Sequence, residues 1–94
     1  MDTSTLFRLD GRVALVTGGS RGIGRMIAAG FVAQGAKVYA SSRKAEACEE
    51  TAAALGETCI ALPHDVGTVA GCRTLAADLA GRENRLDILV NNAG

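Results

Sequence analysis

Short apolar runs alternate with longer amphipathic stretches along the chain, and this alternation is its main structural signal. Residues 13–16 form an unbroken apolar run, which is typical of a parallel strand covered on both faces. A glycine-rich turn follows, and residues 22–34 then show the period of an amphipathic helix, with Gly35 as its C-cap. The apolar face predicted for this helix consists of Ile23, Met26, Ile27 and Phe31.

The same alternation continues to the end of the sequence. The further predicted elements are a strand at 37–41, a helix at 44–55, a strand at 58–62, a helix at 66–82 and a strand at 86–90. Gly56 closes the second helix and Pro63 ends the third strand, as expected of these residue types. The apolar face predicted for the third helix consists of Val69, Cys72, Leu75, Ala76 and Leu79.

Strands separated by helices of about 10–15 residues indicate right-handed crossovers and a parallel sheet. With 94 residues, the chain has room for one domain at most. The sequence therefore predicts an α/β fold. It is the first β-α-β-α-β-α-β half of a Rossmann-like, doubly wound parallel sheet with strand order 3-2-1-4.

Composition and charge exclude several classes of function. Ten Lys and Arg balance ten Asp and Glu, so nothing marks a nucleic-acid or membrane-surface binder. No apolar run approaches the roughly 20 residues of a membrane span, and the N-terminus lacks the pattern of a secretory signal. The three cysteines have no CxxC spacing, which argues against a metal site or disulfide framework and favours a cytoplasmic protein.

The strongest chemical signal is TGGSRGIG, residues 17–24, between the first strand and the first helix. A helix N-terminus there offers unpaired N–H groups and a partial positive charge, and glycines allow a pyrophosphate to approach the backbone. Gly18 suits the tight turn, Gly22 the close approach, and Gly24 the packing of the helix on the sheet. The segment therefore predicts a nucleotide phosphate site.

Other interpretations of these glycines have to be weighed. The spacing is GxxxGxG, out of register with the GxGxxG dinucleotide pattern. The Walker pattern fails at Arg25 and Met26, where it needs a lysine and a hydroxyl, so nucleoside triphosphate hydrolysis is disfavoured. Two alternatives stay open at this point: glycines that serve only the turn, and a methyltransferase-like domain that binds S-adenosylmethionine.

The end of the second strand narrows the choice. It runs Ser41, Ser42, Arg43, Lys44, without the carboxylate that would hold the ribose of NAD or usually mark a methyltransferase. An arginine among hydroxyls suits a 2′-phosphate instead, and Arg21 offers a second cation. The alternative is that Arg43 merely begins a helix, although a cation there opposes the helix dipole.

Three motifs in this order resemble those of the short-chain dehydrogenase/reductase family. TGGSRGIG resembles its TGxxxGxG cofactor motif, the dipeptide 65–66 its adenine-binding position, and NNAG at 91–94 the motif that ends its fourth strand. Within the family, the chain is most similar to NADPH-dependent 3-oxoacyl-[acyl-carrier-protein] reductases of the rhamnolipid type.

The resemblance implies that residues 1–94 are a partial NAD(P)-binding domain, cut after NNAG, of a longer cytoplasmic enzyme of fatty acid metabolism. That enzyme is expected to be a homotetramer that uses NADP(H) to reduce a carbonyl, such as a 3-oxoacyl thioester, to a hydroxyl. The residues implied to bind the cofactor are Gly18, Ser20, Arg21, Gly22, Ile23, Gly24, Ser42, Arg43, Asp65, Val66, Asn92, Ala93 and Gly94.

No catalytic residue of the family is found in the sequence. Its chemistry needs a serine and a Tyr-x-x-x-Lys pair, with the tyrosine as general acid, whereas the only tyrosine here, Tyr39, is followed four positions later by Arg43. We interpret Tyr39 as a core or groove residue, Asn91 as a brace of the sheet, and His64 as solvated or capping. The chain itself is predicted to be inactive, the alternative being a stand-alone nucleotide-binding module.

Overall fold

The computed structural model describes residues 8–92, in which strands and helices alternate. The elements are β1 (Val13–Thr17), α1 (Gly22–Ala33), β2 (Lys37–Ser41), α2 (Ala45–Leu55), β3 (Cys59–Ala61), α3 (Val69–Arg82) and β4 (Ile88–Asn91). The strands form one parallel sheet in the order β3-β2-β1-β4. The predicted α/β class and strand order are confirmed.

The two faces of the sheet are covered by different helices. Alternate residues of a strand point to opposite faces, and all five residues of β1 are buried. Val16 packs with Ala28 of α1 and, at the rim of the same cluster, Leu55 of α2. Leu15 packs on the other face with Leu75 of α3. β1 is therefore the central strand covered on both sides that its apolar run predicted.

The buried face of α1 differs from the predicted one. Ile27 and Phe31 pack against the core as expected, but the side chains of Ile23 and Met26 are 68% and 73% exposed. The cause is Gly24, where a Cβ atom would lie 2.1 Å from the carbonyl oxygen of Gly18. Since only a glycine fits that contact, its row of the helix faces inward and the residues beside it turn outward.

α3 begins at Val69, three residues later than the pattern predicted. Asp65 accepts a hydrogen bond from the N–H of Gly67 at 2.9 Å, and the Thr68 hydroxyl accepts one from the N–H of Gly71 at 2.9 Å. Such side-chain bonds compete with the helix and then cap it. The residues predicted to be buried on α3 that are instead exposed are Val69, Cys72 and Ala76.

Other element ends shift by one or two residues. Gln34, not Gly35, is the C-cap of α1, and Lys44 is the N-cap of α2 rather than its first residue. β4 begins at Ile88, since the Asp87 carboxylate already accepts the N–H of Val13 at 2.8 Å. None of these shifts alters which loops meet at the carboxyl edge of the sheet.

Candidate functional site

A cleft of about 1180 Å³ opens at the carboxyl edge of the sheet, where the segments after all four strands meet. A doubly wound sheet binds ligands at this edge, where the strand order reverses. The predicted residues that line it are Gly18, Ser20, Arg21, Gly22, Ile23, Ser42, Arg43, Asp65, Val66 and Asn92. Gly24 lies beneath the lining, and Ala93 and Gly94 fall outside the described residues.

The glycine loop, residues 18–21, is fastened to the sheet before α1 begins. The N–H groups of Gly18 and Gly19 both donate to the carbonyl of Ser41, at 2.7 and 3.3 Å. Gly22 follows in the left-handed region, with φ +59°, and a Cβ there would meet nothing within 4 Å. The backbone at Gly22 is therefore bare toward the cleft, so that a ligand can approach it closely.

The N-terminus of α1 carries no anion of its own. Its N-cap, Arg21, makes no side-chain capping bond, and the first turn contains no acidic residue. The first N–H groups of a helix have no acceptor within the helix. The amides of Gly22 and Ile23 are thus available to an anionic group placed before the helix.

The charges around the cleft are unbalanced. Arg21, Arg43 and Lys44 line it, and none of the three takes part in an ion pair within residues 8–92. Asp65 is the one carboxylate among the described lining residues, and one of its oxygens is already bound to the N–H of Gly67. Three cations beside a bare helix N-terminus make this end of the cleft suited to phosphate.

Thr17 fixes the fourth loop, and the sequence interpretation did not identify it as a site residue. Its buried hydroxyl lies 3.0 Å from Oδ1 of Asn91 and accepts the N–H of Asn92 at 3.1 Å. The hydroxyl thereby ties the end of β1 to the end of β4, with Asn91 in the bracing position expected for it. The available signal was a polar residue at the end of an apolar strand just before the glycines, which marks Thr17 itself but not its partners in β4.

Part of the cleft lining is apolar, which the sequence interpretation also missed. Leu89 of β4 is 60% exposed, and its neighbours Ile88 and Val90 pack against the opposite face. The leucine side chains that line the cleft are Leu15, Leu75, Leu79, Leu86 and Leu89. The cleft lining therefore combines cations near the glycine loop with leucine side chains, one of which lies on β4.

Tyr39 is a core residue, 1% exposed, whose hydroxyl donates to Glu83. Burial, followed by this contact, raises the pKa of Tyr39. The Lys37 ammonium also contacts Glu83 and is the main reason that the pKa of this carboxyl is lowered. Tyr39 is thus bound to a carboxylate and does not line the cleft, so it offers no general acid there.

The sequence interpretation of His64 as a solvated or capping residue is wrong. Its side chain is 15% exposed, and Nε2 lies 2.9 Å from Oδ2 of Asp78. This contact, together with Arg82, lowers the pKa of Asp78. The pair holds the loop that carries Asp65 against α3.

Two further kinds of site find no support in the part of the chain that the structure covers. None of its helices is both long and apolar enough to cross a membrane. Nor do three or more His, Cys, Asp or Glu side chains cluster there as a metal site requires.

Comparison of the sequence with known proteins identifies relatives of this chain. The family model for short chain dehydrogenase matches residues 12–94. The chain is 56% identical over 90 residues to the rhamnolipids biosynthesis 3-oxoacyl-[acyl-carrier-protein] reductase of Pseudomonas aeruginosa, covering 94% of this chain and 35% of that protein. It is 44% identical over 86 residues to the sorbitol dehydrogenase of Cereibacter sphaeroides, covering 92% and 34%.

A solved structure resembles the fold closely. The Pseudomonas aeruginosa RhlG/NADP active-site complex matches with a TM-score of 0.89 and 56% identity, covering 94% of this chain and 36% of that one. The chain thus spans about a third of the length of the curated relatives it matches, 35% and 34% for the two named above.

Proposed function

The chain belongs to the short-chain dehydrogenase family, and we propose that it is the N-terminal, NADP(H)-binding part of a carbonyl reductase. The observation that carries the proposal is the set of three unpaired cations, Arg21, Arg43 and Lys44, around a cleft that begins at a bare helix N-terminus. The relative solved with NADP supports it. Residues 1–94 would then form a partial nucleotide-binding domain of a longer protein.

The residues present fit such a cofactor. The amides of Gly22 and Ile23 would hold the pyrophosphate, since they have neither a capping side chain nor a neighbouring carboxylate. The Ser42–Arg43 turn would hold the 2′-phosphate, because its guanidinium has no competing partner among residues 8–92. The free oxygen of Asp65 would accept the adenine amino group. When bound, the cofactor supplies the hydride.

The carbonyl substrate of the longer enzyme is proposed from the relatives. The relative named as a 3-oxoacyl-[acyl-carrier-protein] reductase favours a 3-oxoacyl thioester as the carbonyl substrate, reduced to a hydroxyl in fatty acid metabolism. A cytoplasmic homotetramer is the form that we propose for the longer enzyme. The cleft is also lined by Leu75, Leu86 and Leu89, beside which the hydrocarbon part of such a substrate would be tolerated.

A second candidate is a nucleotide-binding module without turnover. It is favoured by one observation: the sole tyrosine, Tyr39, is buried and bound to Glu83, so these residues supply no tyrosine as general acid to the cleft. A chimaera separates the two candidates. We would replace the matching N-terminal segment of the Pseudomonas reductase with this chain and follow NADPH oxidation with a 3-oxoacyl thioester. Turnover near that of the parent supports the reductase, and a folded chimaera that binds NADPH without turnover supports the module.

The substitution Arg43→Asp tests the cofactor assignment. A charge-assisted hydrogen bond contributes roughly 1.5–3 kcal/mol, so we expect NADPH affinity to fall about 10- to 150-fold. NADH affinity should stay or improve, because aspartate can accept the ribose hydroxyls. Arg73→Asp is the matched control. Arg73 is an exposed residue of α3 that does not line the cleft, so the substitution changes the charge by the same amount at a distance from it.

Dissociation constants for both cofactors at fixed ionic strength give the answer. Equal affinity of the wild type for both cofactors would contradict the assignment. So would a similar loss of both with Arg43→Asp, or the same loss of NADPH with the control.

A further inference from the structure

Two buried side chains of α2 contact the phosphate end of the cleft from behind. Cys48 and Thr51 are both 0% exposed and lie three positions apart, which places them on one face of the helix. Neither was singled out as a site residue from the sequence, and Thr51 does not line the cleft. Their polar atoms nevertheless reach the two segments that carry its cations.

Thr51 holds the glycine loop. Its hydroxyl donates to the carbonyl oxygen of Ser20 at 3.1 Å, across 31 positions of sequence. A buried hydroxyl without a partner is destabilising, so the Ser20 carbonyl is the acceptor that makes Thr51 tolerable at a fully buried position. The bond holds the loop carbonyl toward α2.

Cys48 holds the turn after β2. Its sulfur lies 3.1 Å from the Ser42 hydroxyl and also contacts the Ser42 carbonyl at 3.7 Å. The glycine loop and this turn also contact each other directly, because the Ser20 hydroxyl lies 3.2 Å from that of Ser42. The hydrogen-bonded group thus consists of two residues of α2 and one residue from each of the two segments: Cys48, Thr51, Ser20 and Ser42.

We propose that Thr51 and Cys48 are positioning residues that set the separation between the glycine loop and the Ser42–Arg43 turn. They thereby set the preference for a nucleotide that carries both a 5′- and a 2′-phosphate. The inference rests on the proposed function, since it assigns the 5′ group to the loop and the 2′ group to the turn. A ligand with both phosphates depends on the spacing between the two segments, whereas one with a single phosphate does not.

The test compares the affinities of the 94-residue chain for 2′,5′-ADP and 5′-AMP. Loss of one neutral hydrogen bond corresponds to about 2- to 12-fold, so Thr51→Val should reduce the advantage of 2′,5′-ADP by that factor. Thr51→Ser keeps the hydroxyl and should restore it. Thr74→Val is the control, since Thr74 is exposed and, within residues 8–92, its hydroxyl donates only to Ala70 of its own helix.

A merely structural role would lower stability and leave the ratio of the two affinities unchanged in protein that is folded at the assay temperature. An unchanged ratio in folded Thr51→Val would therefore overturn the proposal. If that variant does not fold, Cys48→Ala decides by the same criterion. A wild type without any preference for 2′,5′-ADP would instead overturn the proposed function itself, and the inference with it.

Discussion

Replacing Gly24 by alanine tests how the glycine loop is closed onto α1. The new Cβ would lie 2.1 Å from the carbonyl oxygen of Gly18 and 2.8 Å from Nδ2 of Asn92, more than 1 Å and about half an ångström short of the 3.4 Å at which ordinary contact begins. The carbonyl cannot easily yield, because the N–H groups on either side of it, those of Gly18 and Gly19, donate to Ser41 at 2.7 and 3.3 Å. The helix and the loop must therefore move apart.

The cost follows from comparable overpacking. Forcing a methyl group into a packed site costs about 1–3 kcal/mol, and alanine returns at most about 0.5–1 kcal/mol of helix propensity. We expect Gly24→Ala to lower the free energy of unfolding by about 1–2 kcal/mol. The affinity for 2′,5′-ADP should fall as well, because the amides of Gly22 and Ile23 move away from the loop.

Gly30→Ala is the matched control on the same helix. A Cβ at Gly30 would meet nothing within 4 Å, so this change should raise the free energy of unfolding by about 0.5–1 kcal/mol. Urea denaturation of dilute protein, followed by circular dichroism, measures both variants. If Gly24→Ala proves as stable as Gly30→Ala and binds the nucleotide like the wild type, Gly24 does not hold the loop against α1.

Three further predictions concern the rest of the chain. The 94-residue chain should oxidise no NADPH with a 3-oxoacyl thioester above a heat-killed control, because it has no Tyr-x-x-x-Lys pair; clear turnover would contradict this. The chain should associate through β4, whose one described neighbour is β1. Leu89→Lys should shift the chain toward monomer in size exclusion, and a wild-type monomer at high concentration would count against association. Asp87→Asn should lower stability at neutral pH, since the N–H of Val13, then Arg85, lowers the pKa of Asp87. A lowered carboxyl pKa stabilises above the unfolded value, so the difference from wild type should vanish as pH falls through the folded value; a difference that persists in acid would exclude this cause.

The parts of the fold that depend on local pattern were predictable. β2 was predicted and observed at residues 37–41. The alternation of elements indicated a parallel sheet, and the order 3-2-1-4 followed from the Rossmann-like arrangement expected for it. Apolar period also placed Leu75 and Leu79 in the core correctly. These features need no knowledge of which distant residues meet.

Features decided by contacts between distant segments were not predictable. The outward turn of Ile23 follows from the approach of Gly24 to Gly18, which a helical period cannot show. The late start of α3 follows from competing bonds made by Asp65 and Thr68.

The same limit applies within the cleft. The roles of Thr17 and Thr51 rest on bonds to segments 74 and 31 positions away. A lone hydroxyl in a strand end or an alanine-rich helix gives no sign of its partner in the sequence.

The shallow seating of α3 has a consequence for the motion of the cleft. Only Leu75 and Leu79 of its fourteen residues are buried, and segments with few buried apolar contacts open at the low end of the free-energy scale. α1 and the glycine loop, by contrast, are fastened through Gly24 and Thr51. We therefore expect the loop that carries Asp65 to move together with α3, while the glycine loop stays rigid. A nucleotide would then bind first through its phosphates and be enclosed afterwards.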